Sequence, residues 1–281
     1  MTRMPAVLAA LIVALLTTNI AVAANDVRAI VRPTWNEDRI LTILVIGSDA
    51  GLPRVGDPRT GRSDGLHIIA VDTRKRRATI VDIPRDSFIS GSKVNAFMSM
   101  GGPERLKSVL GSHTGINFDY YALTNFRGLN FMVEQLGGLK VNLDAPINDP
   151  AARANLRAGP QTLDGKEALA FSRARKSVPG GDFTRAKHQG VLLRAAQRQV
   201  RAQGSDLRKL TGLLGGFSRN VDTDIPSEQL FRLASLAVQI KPKHIKQVSL
   251  SGGTGFVGLE SVVFLNAGSA FTDIRQGRIG P

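Results

Sequence analysis

Three strand-length apolar runs in quick succession constrain this chain more than any other feature. They are LTILVIG (41–47), GLHIIAVD (65–72) and ATIVDIP (78–84). Continuous apolar runs of this length read as strands. Only the charged turn TRKRR (73–77) separates the second from the third, which is a hairpin signal. In an antiparallel pair, the start of the first strand lies beside the end of the second. A symmetric turn over 72–77 therefore pairs Leu66 near Ile83 and brings Asp64 near Arg85. RSD (62–64) and PRD (84–86) then share one end of the sheet. GSD (47–49) closes the first run and can reach the same edge. TRKRR itself reads as a solvated turn.

Beyond the hairpin, the pattern predicts helices over 102–115, 127–138, 182–203 and 226–240, and one beginning at 163. Strands are expected at 119–126, 139–144, 246–250 and 261–265. Strands and helices alternate without a low-complexity break, so the expected fold is a single α/β domain over residues 40–267. Residues 25–39 read as a linker and 268–281 as a flexible tail.

A hydrophobic content of 42% with 29 glycines belongs to a globular protein rather than a disordered one. No cysteine is present, which excludes disulfides and thiolate chemistry. The formal charge of +14 points to nucleic acid, an anionic surface or an anionic substrate. Nucleic acid is disfavoured, because aromatics make up 5% of the chain and no basic stripe or known module accompanies them. The four histidines have no metal-ligand spacing, and no phosphate-loop motif occurs.

The N-terminus begins with Arg3, continues with an apolar stretch from Met4 to Leu16, and reaches Ala21-Val22-Ala23. Residues 1–24 therefore read as a secretory signal with a small-residue cleavage site, or as an uncleaved membrane anchor. Either reading puts the remainder outside the cytoplasm, where an anionic substrate is something other than a free nucleotide.

The helix from Asp182 carries the sharpest anomaly. At about 100° per residue, Leu192, Leu193, Ala196 and Val200 form one face. Lys187, Arg194, Arg198 and Arg201 gather opposite, as a solvated face. Arg185 and Gln189 fall in the middle of the apolar stripe. A buried arginine needs a partner. Either Asp182 pairs with it, or both polar side chains line a pocket, where a guanidinium fork matches phosphate oxygens. Asp182 also reads as an N-cap. Arg173 and Arg175 point the same way only if their segment is extended, and diverge by about 200° if it is helical.

RSD, DIPRD, KVNAFMSMGG (93–102), MVEQLGGLKV (132–141), LDGKEALAFSRARK (163–176) and GDFTRAKHQ (181–189) occur in this order. Together they resemble the LytR-CpsA-Psr family of bacterial cell-wall phosphotransferases. The resemblance covers residues 41–203 well and extends loosely to 267. It implies an α/β fold with a central mixed sheet flanked by helices, and an elongated hydrophobic pocket for a prenyl chain. It implies transfer of a glycopolymer from a polyprenyl pyrophosphate carrier to a peptidoglycan sugar hydroxyl, at the membrane surface outside the cytoplasm. By motif, Arg62, Arg85, Arg173, Arg175, Arg185 and Gln189 resemble pyrophosphate ligands. Asp49 and Asp64 resemble ligands of Mg2+ (or Mn2+). Asp182, with Arg85 and Arg185, resembles the catalytic set, either positioning the hydroxyl or holding Arg185. Asp86 carries less weight and reads as a cap. A phosphohydrolase or a non-catalytic carrier-binding protein stays open beside the transferase.

Overall fold

Six strands form the central sheet: β1 (Ile40–Ser48), β2 (Ser63–Asp72), β3 (Arg77–Asp82), β4 (Tyr120–Asn125), β5 (Asp222–Thr223) and β6 (Ile245–Ser249). The computed structural model describes residues 39–50, 57–204 and 206–281. The signal or anchor segment 1–24, and all of the linker 25–39 except Arg39, lie outside the described residues. The spatial order is β5-β4-β1-β2-β3-β6. β1 runs parallel to β4 and β3 parallel to β6. β1–β2, β2–β3 and β4–β5 are antiparallel. The sheet is therefore mixed, and β1, β3, β4 and β6 all end at one edge. The hairpin register is the expected one: His67 pairs with Asp82, and the Ile83 amide donates to the Leu66 carbonyl at 3.0 Å.

The helices are α1 (Ala96–Thr114), α2 (Phe126–Gln135), α3 (Gly165–Arg173), α4 (Asp182–Gln203), α5 (Leu207–Asn220), α6 (Ser227–Gln239) and α7 (Ala270–Arg275). Within α1, a turn from Ala96 breaks at Gly101–Gly102, and the expected helix then starts at Pro103. One sheet face presents Leu44, Ile46, Leu66 and Ile68 to Met98, Leu106 and Leu110 of α1. The other presents Leu41, Val71 and Ile80 to Leu236 and Ile240 around α6. On this second face Ile43, Val45, Ile69 and Ala122 stay only half-buried in mid-sheet. A third apolar cluster joins α2, α3 and α4, with Phe171 and Leu192 fully packed in it.

Helix α4 thus lies between two cores. Leu192 faces the third cluster, while Leu193 packs against the sheet, so the single apolar face expected from periodicity is two. Gly190 is why α4 can approach the sheet. A Cβ there would sit 2.1 Å from Asp82 Oδ1 and 2.3 Å from Gln247 Nε2. The basic face expected to be solvated is partly spent on structure. Arg198 donates to the Lys140 carbonyl at 3.0 Å, and Arg201 donates to the Val238 carbonyl. Gln197 and Gln203 reach the carbonyls of Ile240 and Leu136, which helix ends leave without partners.

The flexible tail expected over 268–281 is corrected. Phe271, Ile274 and Ile279 sit in the core beneath the first sheet face. The Gly280 amide donates to Thr79 Oγ1 at 2.9 Å, and Arg77 Nη1 donates to the Pro281 carbonyl at 2.9 Å. A six-residue helix between glycines is too short to register as a periodic pattern.

His188 stacks on Phe171, with ring centroids 4.2 Å apart, at the α3–α4 contact. Burial, only partly offset by a hydrogen bond with the Phe171 backbone, pushes its pKa down to about 4. The unfolded chain binds this proton near pH 6.5 and the folded chain does not. Stability is expected to fall as pH drops from about 6.5 towards 4, by on the order of 3 kcal/mol. Urea midpoints across that range should show the slope in wild type and a flatter curve in His188→Gln. Equal slopes would remove His188 as the cause.

Candidate functional site

The site is built at the edge where β1, β3 and β4 end and β2 begins. A register shift after Gly47 pairs Ser48 with Ser63 and sends the chain out at Asp49. The Asp49 amide donates to the Arg62 carbonyl at 3.0 Å, and the Arg62 amide donates to Asp49 Oδ1 at 2.7 Å. These reciprocal bonds fix the two motifs side by side. Three residues past β3, Arg85 extends Nη1 to Asp64 Oδ1 at 2.5 Å, the contact that the hairpin register implies.

The opposite wall comes from the α3–α4 connection. Gly180 and Gly181 both adopt left-handed backbone, with φ of 85° and 54°, so the chain reverses and delivers Asp182 to the first turn of α4. Asp182 and Arg185 are both buried, and Arg185 Nη2 donates to Asp182 Oδ1. Arg185 Nη1 also lies 3.6 Å from Asp64 Oδ1. Burial pulls the Arg185 guanidinium below its usual range, and Asp182 and Asp64 pull it back. Asp182 Oδ2 accepts the Asp86 amide at 3.1 Å. Asp86 in turn holds Arg175 Nη2 at 3.1 Å and faces Arg85 Nε at 3.7 Å.

The result is a ring of Arg85, Asp64, Arg185, Asp182 and Asp86, closed through the Asp86 amide, which Arg175 joins at Asp86. Three positive charges meet three negative ones. Asp49 and Arg62 beside it also cancel, so the cluster is neutral as it stands. Of the two roles read for Arg185 from the sequence, the structure contains the pairing with Asp182, and that pair is part of the network.

Not every expected residue converges. Arg62 is exposed, and its side chain has no partner among the described residues. Arg173 is the last residue of its helix, Arg175 lies past the C-cap Ala174, and the two side chains meet different partners. The Arg173 guanidinium lies over the Phe126 ring, 4.8 Å from the centroid, at the rim rather than in the network. Gln189 Nε2 donates to the carbonyls of Ser172 at 3.0 Å and Asp64 at 3.3 Å. Its amide braces the start of β2 against α3. Asp182 has both oxygens engaged, one by Arg185 and the other by the Asp86 amide.

Two acids matter more than the sequence suggested. Asp86 is a central member of the network, not only a cap. Asp149 is buried, and its Oδ2 accepts the amides of Arg175 and Lys176, each at 2.8 Å. Burial pushes this carboxyl up, but donors from Arg175, Lys176, Ala152 and Ser177 outweigh it and hold it below the usual carboxylate range. It anchors the loop that aims Arg175. Asp149-Pro150 registers in sequence only as a turn signal.

Asp49 and Asp64 suit a hard divalent cation. Each keeps Oδ2 without a partner among the described residues, and they sit on adjoining strand ends. No three His, Cys, Asp or Glu side chains among the described residues converge as a ready-made cage. That donor set matches magnesium, which takes one or two carboxylates and completes its shell with water and phosphate oxygens.

The sequence profile of the LytR_cpsA_psr family matches residues 15–272. Regulatory protein MsrR of Staphylococcus aureus (strain COL) is 30% identical over 209 residues, 71% of this chain and 61% of its own length. Polyisoprenyl-teichoic acid–peptidoglycan teichoic acid transferase TagV of Bacillus subtilis (strain 168) is 27% identical over 211 residues, 70% of this chain and 54% of its own. The matched part of this chain thus spans between half and two thirds of the length of these relatives. Among solved structures, protein gbs0355 of Streptococcus agalactiae aligns with a TM-score of 0.74 at 24% identity, covering 86% of this chain and 88% of that one. Crystalline TagV of B. subtilis aligns at 0.72, also at 24% identity, covering 86% and 96%. The structural likenesses bear out the mixed α/β fold.

The buried pair gives a stability test. Asp182→Ala leaves Arg185 buried beside only the more distant Asp64, and is expected to cost about 3–5 kcal/mol. A double variant, Asp182→Ala with Arg185→Met, should recover much of that loss. Thermal melts of the two variants check this, and an Asp182→Ala chain as stable as wild type would contradict it.

Proposed function

The chain belongs to the LytR_cpsA_psr family, and from that premise we propose that it transfers a glycopolymer phosphate from a polyprenyl pyrophosphate carrier to a peptidoglycan sugar hydroxyl. The observation that carries the proposal is the neutral arginine–aspartate network beside two half-free aspartates. A pyrophosphate diester brings about two negative charges. Asp49 and Asp64 would hold a divalent cation, whose charge would offset that of the carrier. The transferase activity for which TagV is named supports the same reaction class.

In the transfer, the sugar oxygen attacks the phosphorus bonded to the glycopolymer. The bond from that phosphorus to the polyprenyl phosphate breaks, and polyprenyl phosphate leaves with the bonding electrons. The hydroxyl proton ends on the leaving phosphate or solvent. Charge spreads over the phosphoryl oxygens, and catalysis is positioning plus electrostatic stabilisation. Arg85, Arg175 and Arg185 supply donors already oriented by Asp64, Asp86 and Asp182. The metal, when bound, contributes Lewis-acid neutralisation of the pyrophosphate oxygens.

The prenyl chain has a surface to follow. Ile43, Val45, Ile69 and Ala122 leave a half-open apolar strip on the sheet face below the site, and Leu213, Leu214 and Phe217 of α5 are likewise only half covered. We read this strip as the lipid track. No helix among the described residues is long and apolar enough to cross a membrane. Work outside the cytoplasm, next to an anionic bilayer, rests on the N-terminal signature and the net charge of +14.

The deciding assay follows polymer transfer from a short-chain polyprenyl pyrophosphate donor to peptidoglycan fragments. Magnesium should be required and chelator should abolish turnover. Arg85→Ala is expected to lower kcat by about 100-fold or more. Asp64→Asn should lose activity together with its response to magnesium. Turnover indifferent to chelator and to Asp64→Asn would sink the proposal. Dominant phosphate release without a glycan acceptor would make the protein a hydrolase.

A further inference from the structure

A cavity of about 410 Å³ opens beside the ion-pair network, within the size range of small-ligand sites. One wall is Asp86, Arg175 and the Gly180–Asp182 turn. The other is a hairpin of β7 (Ser251–Val257) and β8 (Glu260–Asn266). The Val263 amide donates to the Asp86 carbonyl at 2.9 Å, so the hairpin is fastened to the segment that carries the site.

Cross-strand partners in an antiparallel pair share a face. Thr254 pairs with Val263 and Phe256 with Ser261. Gly252, Thr254, Ser261 and Val263 line the cavity from the face that Phe256 shares, and Val262 from the other; Phe256, the partner of Ser261, stands next to that lining. Phe256 is 74% exposed, an unfavourable position for a phenyl ring in water. The hydroxyls of Thr254 and Ser261 have no partner among the described residues. Glycines at 252, 253 and 255 keep the β7 wall low.

We propose that this cavity is a saccharide subsite, in which a pyranose ring stacks its C–H face on Phe256 and hydrogen-bonds to Thr254, Ser261 and Asp86. The inference rests on the function proposed above. A flat apolar ring flanked by free hydroxyls, a carboxylate and a guanidinium matches a sugar, which has both apolar faces and equatorial hydroxyls. A lipid tail would leave those polar groups unpaired, at a cost. Two sugars of that reaction have the required chemistry: the one bonded to the donor phosphate and the one offering the accepting hydroxyl.

Calorimetric titration of the full chain tests this with three probes. They are a soluble peptidoglycan oligosaccharide, a short-chain polyprenyl pyrophosphate carrying a sugar, and the same lipid pyrophosphate without one. Phe256→Ala should weaken a sugar-bearing probe about tenfold and leave the sugarless lipid unchanged. Phe256→Trp should retain binding, and the exposed tip variant Leu259→Ala should not matter. Loss confined to the oligosaccharide assigns the subsite to the acceptor. Loss confined to the sugar-bearing pyrophosphate assigns it to the donor. The proposal is overturned if Phe256→Ala binds both sugar probes like wild type, weakens the sugarless lipid equally, or loses only affinity for anionic vesicles. Wild type that binds the oligosaccharide but neither pyrophosphate would refute the transferase reading and leave the subsite standing.

Discussion

The buried pair of Arg185 and Asp182 holds the site together. An arginine removed from water is tolerable only where carboxylates are already oriented to meet it. Asp182 does so from one helical turn away, and its second oxygen fixes the Asp86 amide. Asp86 then aims Arg175, and Asp64 bridges Arg185 to Arg85. Arg185 is thus held by an acid whose second oxygen is itself held by backbone. This is preorganisation in its electrostatic form: donors do not reorganise when charge develops.

The position of that pair depends on how closely α4 lies against the sheet. Gly190, one turn beyond Arg185, lets the helix reach Asp82, which is already bonded to His67, Gln247 and Ser249. The glutamines of α4 fasten it at its far end to the last carbonyls of α2 and α6. The helix is therefore set along its whole length, and the first turn inherits that precision.

Much of this was legible in the sequence. The hairpin register follows from turn length, and it correctly joins Asp64 to Arg85. The span of α4 and the anomaly of Arg185 follow from helical periodicity. What stayed hidden depends on contacts distant in sequence. Periodicity distinguishes an apolar face from a polar one, but not a helix packed on two sides, so Leu193 was grouped with Leu192. Asp149 looks like half of a turn until the fold brings the Arg175 loop beneath it. The β7 segment SGGTGFV has no alternation and reads as loop, although Phe256 makes its face the most informative wall beside the site. The two carbonyls that Gln189 braces come from segments distant in sequence, so periodicity marks the residue as an anomaly without showing its partners.

The charge cancellation within the network has a kinetic meaning. A cluster whose positive and negative charges alternate within a few ångströms projects little field beyond a Debye length, about 10 Å at 0.1 M salt. Its arginines therefore do not draw an anionic head group in from a distance. They act only at short range, from positions that the carboxylates already fix. Capture then depends on the rest of the basic surface and on the local density of carrier, not on steering by the site. Raising salt should slow encounter with a charged surface while leaving the step within the bound complex nearly untouched.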